Sequence, residues 1–85
     1  PLAISETRNR IYIADKNKLH VIDATSLEPV ETLAIPGFLR HQAAEMLMSR
    51  DERAMLISGF EGKLSIVTMI DPDDLSIIAV QASDD

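Results

Sequence analysis

The chain has no cysteine and no tryptophan, and its 85 residues include one tyrosine, two phenylalanines and three glycines. Without cysteine there is no disulfide framework, no thiolate-held zinc and no thiol nucleophile, although that absence does not fix a compartment. With so few aromatics, the core has to be aliphatic, drawn from the Ile, Leu, Val, Ala and Met that dominate its 46% hydrophobic residues. Gly37, Gly59 and Gly62 have neither Walker nor dinucleotide spacing, so no phosphate-cradling loop and no cofactor is expected. No serine, Ser49 and Ser58 included, stands in a Gly-x-Ser-x-Gly elbow.

Basic residues are also scarce. Eight Lys and Arg stand against fourteen Asp and Glu, a formal charge of -6, which argues against a surface that tracks phosphates; no nucleic-acid partner is expected. No apolar run approaches the roughly 18 to 20 residues that span a bilayer as a helix, and no basic stretch followed by an apolar one opens the chain, so no membrane insertion is expected. The first residue is Pro1. The expectation is an excised or processed section of something longer.

What is present is a repeat. Ser5-Glu-Thr-Arg-Asn-Arg-Ile-Tyr-Ile-Ala14 matches Ser49-Arg-Asp-Glu-Arg-Ala-Met-Leu-Ile-Ser58 at an offset of 44, a polar turn followed by a four-residue apolar run. Leu19-His-Val-Ile22 falls on Leu64-Ser-Ile-Val67 at an offset of 45, and Asp23-Ala-Thr-Ser-Leu27 on Asp71-Pro-Asp-Asp-Leu75 at 48, growth that reads as insertion in loops. A period of roughly 40 to 45 residues with four short strands per unit is the signature of propeller blades.

The predicted strands of the first unit are Leu2 to Ser5, Arg10 to Ala14, Lys18 to Asp23 and Pro29 to Ile35. Those of the second are Glu45 to Ser49, Ala54 to Ser58, Lys63 to Ile70 and Ser76 to Gln81. The fold class is therefore all-β, about two four-stranded antiparallel blades, residues 1–37 and 38–85. The middle strands carry apolar residues on both faces, Ile11 and Ile13 one way and Tyr12 and Ala14 the other, so each face calls for a covering layer. Asp23 to Ser26 and Asp71 to Asp74 hold side chains that bond nearby amides and start turns. Asp71-Pro72 adds a fixed torsion. Asp15-Lys-Asn-Lys18 and Gly59-Phe-Glu-Gly62 occupy the same hairpin position.

Arg10-Ile-Tyr-Ile-Ala-Asp15, Leu19-His-Val-Ile-Asp-Ala-Thr25 and Val30-Glu-Thr-Leu-Ala-Ile-Pro-Gly37 together resemble a blade of the YVTN β-propeller family. The second unit departs from that pattern, with Leu56 for the tyrosine, Ile66-Val67-Thr68 for the Val-Ile-Asp, and Arg50 to Arg53 for the usual Pro-Asp-Gly turn. Ile35-Pro-Gly-Phe-Leu-Arg-His41 is similar, more narrowly, to a blade junction of amine dehydrogenase heavy subunits. The propeller reading makes a binding or interaction scaffold the leading expectation. The resemblance implies the alternative, a propeller subunit of an amine-dehydrogenase-type periplasmic oxidoreductase or a lactonase-like hydrolase, and with it a periplasmic or secreted location.

Residues Phe38 to Ile57 are rich in Ala, Glu, Met, Leu and Arg, and Leu39, Ala43, Met46 and Leu47 recur at helical spacing. A helix near residues 39–56 is the rival, α+β reading. Against it, Arg50 to Arg53 align with the turn Glu6 to Asn9.

On the propeller reading, candidate binding groups lie on loops at one end: Arg40 and His41 between the units, Asp15, Lys16 and Lys18 in one hairpin, Phe60 and Glu61 in the other. A histidine titrating near neutrality beside an arginine can bind an anion or move a proton; without a partner carboxylate set by spacing, the leading reading of both is as solvated loop residues, and no catalytic constellation is visible. His20, between Leu19 and Val21, reads as a hydrogen-bonded structural histidine. Asp71, Asp73 and Asp74 lack the glycine and closing glutamate of a calcium loop and read as a turn, with no metal expected. Met46, Met48, Met55 and Met69 read as core filler. Two blades cannot close a ring, so the expected partners are the remaining blades, copies of the same chain, or another protein.

Overall fold

The computed structural model describes residues 1–15, 17–35 and 43–84. Eight strands follow in order: β1 (Leu2–Ser5), β2 (Arg10–Asp15), β3 (Lys18–Asp23), β4 (Pro29–Ala34), β5 (Ala43–Met48), β6 (Met55–Glu61), β7 (Leu64–Ile70) and β8 (Ile77–Asp84). They form two antiparallel four-stranded sheets, β1-β2-β3-β4 and β5-β6-β7-β8, each an up-and-down meander. The all-β reading stands, and the sheets remain separate and open.

The rival helix is overturned across the described part of its range. Residues 43–48 are a strand, and Ser49 to Ala54 are a turn closed by Ser49 N–H donating to Ala54 O at 2.9 Å. Asp51 accepts from Ser49 Oγ and from Arg53 N–H, so the turn chemistry outweighs the helix propensity of the flanking Ala, Met and Leu. Glu52 takes a left-handed φ of 58°, which ends any helix there.

The repeat is structural as well as textual. In the β3–β4 turn, Leu27 N–H donates to Asp23 O at 2.9 Å and Asp23 N–H to Glu28 O at 2.9 Å. In the β7–β8 turn, Leu75 N–H donates to Asp71 O at 2.8 Å and Asp71 N–H to Ser76 O at 2.9 Å. Leu27 and Leu75 both adopt a positive φ, 61° and 62°. A register shift falls between Val21 and Ile22 in the first sheet and between Met69 and Ile70 in the second.

Strand register corrects the alignment of β3 with β7. Asp15 pairs with Lys18 across the first hairpin, whereas its counterpart Gly59 pairs with Ile66, and the second hairpin continues to Glu61 against Leu64. Each arm is longer by two residues, so Leu19 corresponds to Val67 and Val21 to Met69, an offset of 48 rather than 45. The even insertion per arm keeps every side chain on its own face; an odd one would flip them. It also places Gly59, Phe60 and Glu61 in the strand, not in the expected turn, and leaves Gly62 to turn the chain at a φ of 61°.

The two sheets pack face to face. Ala3 and Ser5 from β1, Tyr12 and Ala14 from β2, and Leu19 and Val21 from β3 are buried on one side of the first sheet. Opposite them lie Met55, Ile57, Ile66, Thr68 and Ile70 of the second, with Met46, Met48, Leu33 and Leu75 packed around the cluster. Burial of each such large aliphatic side chain contributes about 1.5–3 kcal/mol. Among the described residues, the expected layer on both faces is present on one only. Leu2, Ile4 and Leu47 are more than half exposed on the outward sides.

Candidate functional site

The most densely bonded of the described side chains lie where the β1–β2, β5–β6 and β7–β8 turns meet. Ser5 Oγ donates to Glu52 Oε1, Thr7 Oγ1 donates to the same oxygen at 3.0 Å, and Arg8 NH1 lies 3.5 Å from it. Arg8 Nε donates to Asp73 Oδ1 at 2.7 Å, and Arg8 N–H donates to Ser5 Oγ at 3.2 Å. One storey inward, Tyr12 O–H donates to Pro72 O at 3.0 Å. Each bond crossing from sheet to sheet uses a turn as its anchor, and the Asx bond from Asp73 N–H to Asp71 Oδ1 at 2.8 Å holds the acceptor side in place.

The electrostatics follow from these contacts. Hydrogen bonds from Ser5 and Thr7 hold the Glu52 carboxyl below its ordinary range, and Arg8 does the same for Asp73. The Asp73 contact raises Arg8 in turn, against a smaller lowering by burial. Burial pushes the Tyr12 phenol up. Beside the cluster opens a cleft of ≈ 430 Å³ between Arg10, Tyr12, Val21, Glu31 and Pro72. Arg10 is itself paired with Asp23 at 3.2 Å, so both guanidiniums at the cleft already hold a carboxylate. An anionic ligand would have to displace one. The arrangement is chemically a clamp between sheets, with no activated nucleophile or unpaired base among its described residues.

The sequence candidates lie elsewhere. Alternation of strand direction puts the β2–β3 and β6–β7 hairpins at the end opposite the clamp. Asp15 and Lys18 close the first hairpin as a cross-strand pair, both exposed. Phe60 is 63% exposed near the tip of β6, and Glu61 ends that strand. Lys16, Arg40 and His41 lie outside the described residues. His20 is half-buried and faces outward, with Nδ1 3.1 Å from Thr32 Oγ1. Asp71 and Asp74 serve the β7–β8 turn, as expected, while Asp73 also reaches the other sheet. Met55 is buried, and Met46 and Met48 pack against the core; Met69 faces outward.

Sequence reasoning missed the clamp. Its bonds from sheet to sheet join residues 44 to 65 apart along the chain, beyond any local spacing rule. The signal available was the repeat: Arg8 and Glu52 occupy corresponding positions with opposite charge. Comparison with protein-family models, curated proteins and solved structures gives no match.

Proposed function

We propose that the chain is a two-blade section of a β-propeller, residues 1–37 and 38–85, of the kind found in the YVTN repeat family, and that it serves as a binding or interaction scaffold. One observation carries this reading: corresponding residues of the two repeats lie on opposite sides of the contact. Tyr12 and Ala14 enter it from the first sheet, while their counterparts Leu56 and Ser58 face away from it. Met55 and Ile57 enter it from the second sheet, while their counterparts Ile11 and Ile13 face away. A two-fold sandwich would bury the same positions from both sheets; successive blades, each laid on the back of the last, bury alternate ones.

In such a section the hairpin end offers Asp15, Lys18 and Phe60 to a ligand or protein, and the propeller reading adds Glu61 from the end of the same strand and Arg40 and His41 from the segment between the units. An exposed aromatic among charges is a common anchor for partners. The test is a cross-linking screen to identify the bound partner, followed by titration of that partner against Phe60→Ala and an Arg40→Ala/His41→Ala double variant. Affinity should fall at least tenfold with no change in the urea midpoint. Unchanged affinity in both variants would refute the scaffold assignment.

A further inference from the structure

We infer that the two outward faces of this chain are the two halves of one heterologous interface, through which a second copy of the chain docks head to tail. The inference rests on the propeller reading and names a partner for it.

The internal contact supplies the template. It joins the inward side of the first sheet (Ala3, Tyr12, Ala14, Leu19, Val21) to that of the second (Met46, Met48, Met55, Ile57, Ile70). By the offsets of 44 and 48, the outward side of the second sheet presents the counterparts of the first set: Leu47, Leu56, Ser58, Val67 and Met69. The outward side of the first sheet presents the counterparts of the second set: Leu2, Ile4, Ile11, Ile13 and Ile22. Each copy thus carries both partners of the internal contact, one on either side, and placing one copy against the next repeats that contact.

The chemistry of the exposed faces agrees with this. Four isoleucines and a leucine stand on the first sheet's outward side, with Leu2 at 56% and Ile4 at 54% exposure. Such a contiguous apolar face marks an interaction surface. On the opposite side, Leu47 is 64% exposed and borders a recess of ≈ 160 Å³ walled by Leu56, Ser58 and Val67, open to an aliphatic side chain of the incoming copy. The ion pair of the clamp is not repeated: the counterparts of Arg8 and Asp73 are Glu52 and Thr25, and Glu52 is already held by Ser5 and Thr7 of its own chain. Leu56 stands for Tyr12 and forgoes its hydroxyl bond, so this contact is the more apolar of the two. A heterologous contact of this kind either closes into a ring or grows as a filament, according to its rotation per copy.

The test is light scattering on size-separated chain, with Ile4→Lys on one face, Leu47→Lys on the other, and Glu28→Lys, an exposed turn position whose counterpart Ser76 is likewise exposed and outside the internal contact, as control. The parent and the control should elute as multiples of the 9.4 kDa chain, whether a discrete ring or an open series. Each face variant alone should fall to a single chain, because every junction needs one intact side of each kind. Mixed together, they should form a 1:1 dimer and nothing larger. Both substituted sites are exposed, and an unchanged β-type circular dichroism spectrum shows that each variant folds. A parent that stays a single chain with a β spectrum overturns the inference and leaves the propeller reading standing; a helical spectrum overturns both. Face variants that still assemble alone, or a mixture that remains monomeric, also overturn it.

Discussion

In the first sheet the largest side chain entering the contact is Tyr12, fully buried, its hydroxyl donating to Pro72 O of the other sheet. At the corresponding place in the second sheet stands Leu56, half-exposed on the outward side. The same exchange runs through the repeat: Ile57 is buried and Ile13 is not, and Thr68 is buried where His20 is half-exposed beside Thr32. The two repeats share strand order, turn bonds and even the position of the register shift, yet sequence-equivalent residues experience different surroundings. A backbone is repeated; an environment is not. The burial that stabilises a side chain is a property of its place in the stack.

That contrast between the sheets should break most readily where burial is deepest. Tyr12→Ala should cost about 3–5 kcal/mol in urea unfolding, from lost burial and a cavity, whereas Leu56→Ala should cost no more than about 1 kcal/mol in dilute solution. Equal losses would mean that both faces are covered. Next comes the buried hydroxyl: Thr68 Oγ1 has no hydrogen-bond partner among the described residues, so Thr68→Val should raise stability by about 1 kcal/mol. His20→Val, at the matching outward place, should change it little. Tyr12→Phe should lower stability by about 1 kcal/mol, the net contribution of one bond to Pro72 O. Were Thr68→Val destabilising, its hydroxyl would have to be bonded to a group outside the described residues.

The smallest expected effect is electrostatic. Glu52 and Asp73 have folded pKa values below their ordinary 4.5 and 3.8, so folding binds them in the ionised form. Their contribution is present above those ordinary values and is lost as pH falls through the depressed folded ones. Parent stability should therefore decline on acidification below about pH 4.5, and Glu52→Gln should flatten part of that decline. Arg53→Gln, whose one ion pair among the described residues is with the exposed Asp51, should leave the acid limb almost unchanged. If Glu52→Gln has no effect on the slope, the clamp does not stabilise the contact between the sheets.

Much of the fold was legible because its punctuation is local. Asp23, Asp51 and Asp71 bond amides two residues on, and each marks a turn whatever surrounds it. That is why each strand begins within two residues of expectation, and why a turn at Arg50 to Arg53 prevails over the helical composition of residues 39–56. The hairpin of the second unit was less legible. Gly59 and Gly62 both permit a turn, and choosing between them depends on how far β6 and β7 can pair, which Glu61 opposite Leu64 settles in favour of Gly62. The clamp was illegible for another reason: Ser5, Arg8, Glu52 and Asp73 meet only after the two sheets have packed.

The sequence by itself determined the strands, the turns and the existence of two like units, since alternation, Asx chemistry and positive-φ positions act within a few residues. Only the tertiary structure decided which of two equally apolar faces each sheet would bury. Ile11 and Tyr12 are neighbours on one strand, both apolar enough for a core, and nothing local distinguishes them. The choice follows from the offset of one sheet laid on the other, which seats the Tyr12 hydroxyl on Pro72 and Arg8 against Asp73, and burial is assigned by that long-range contact.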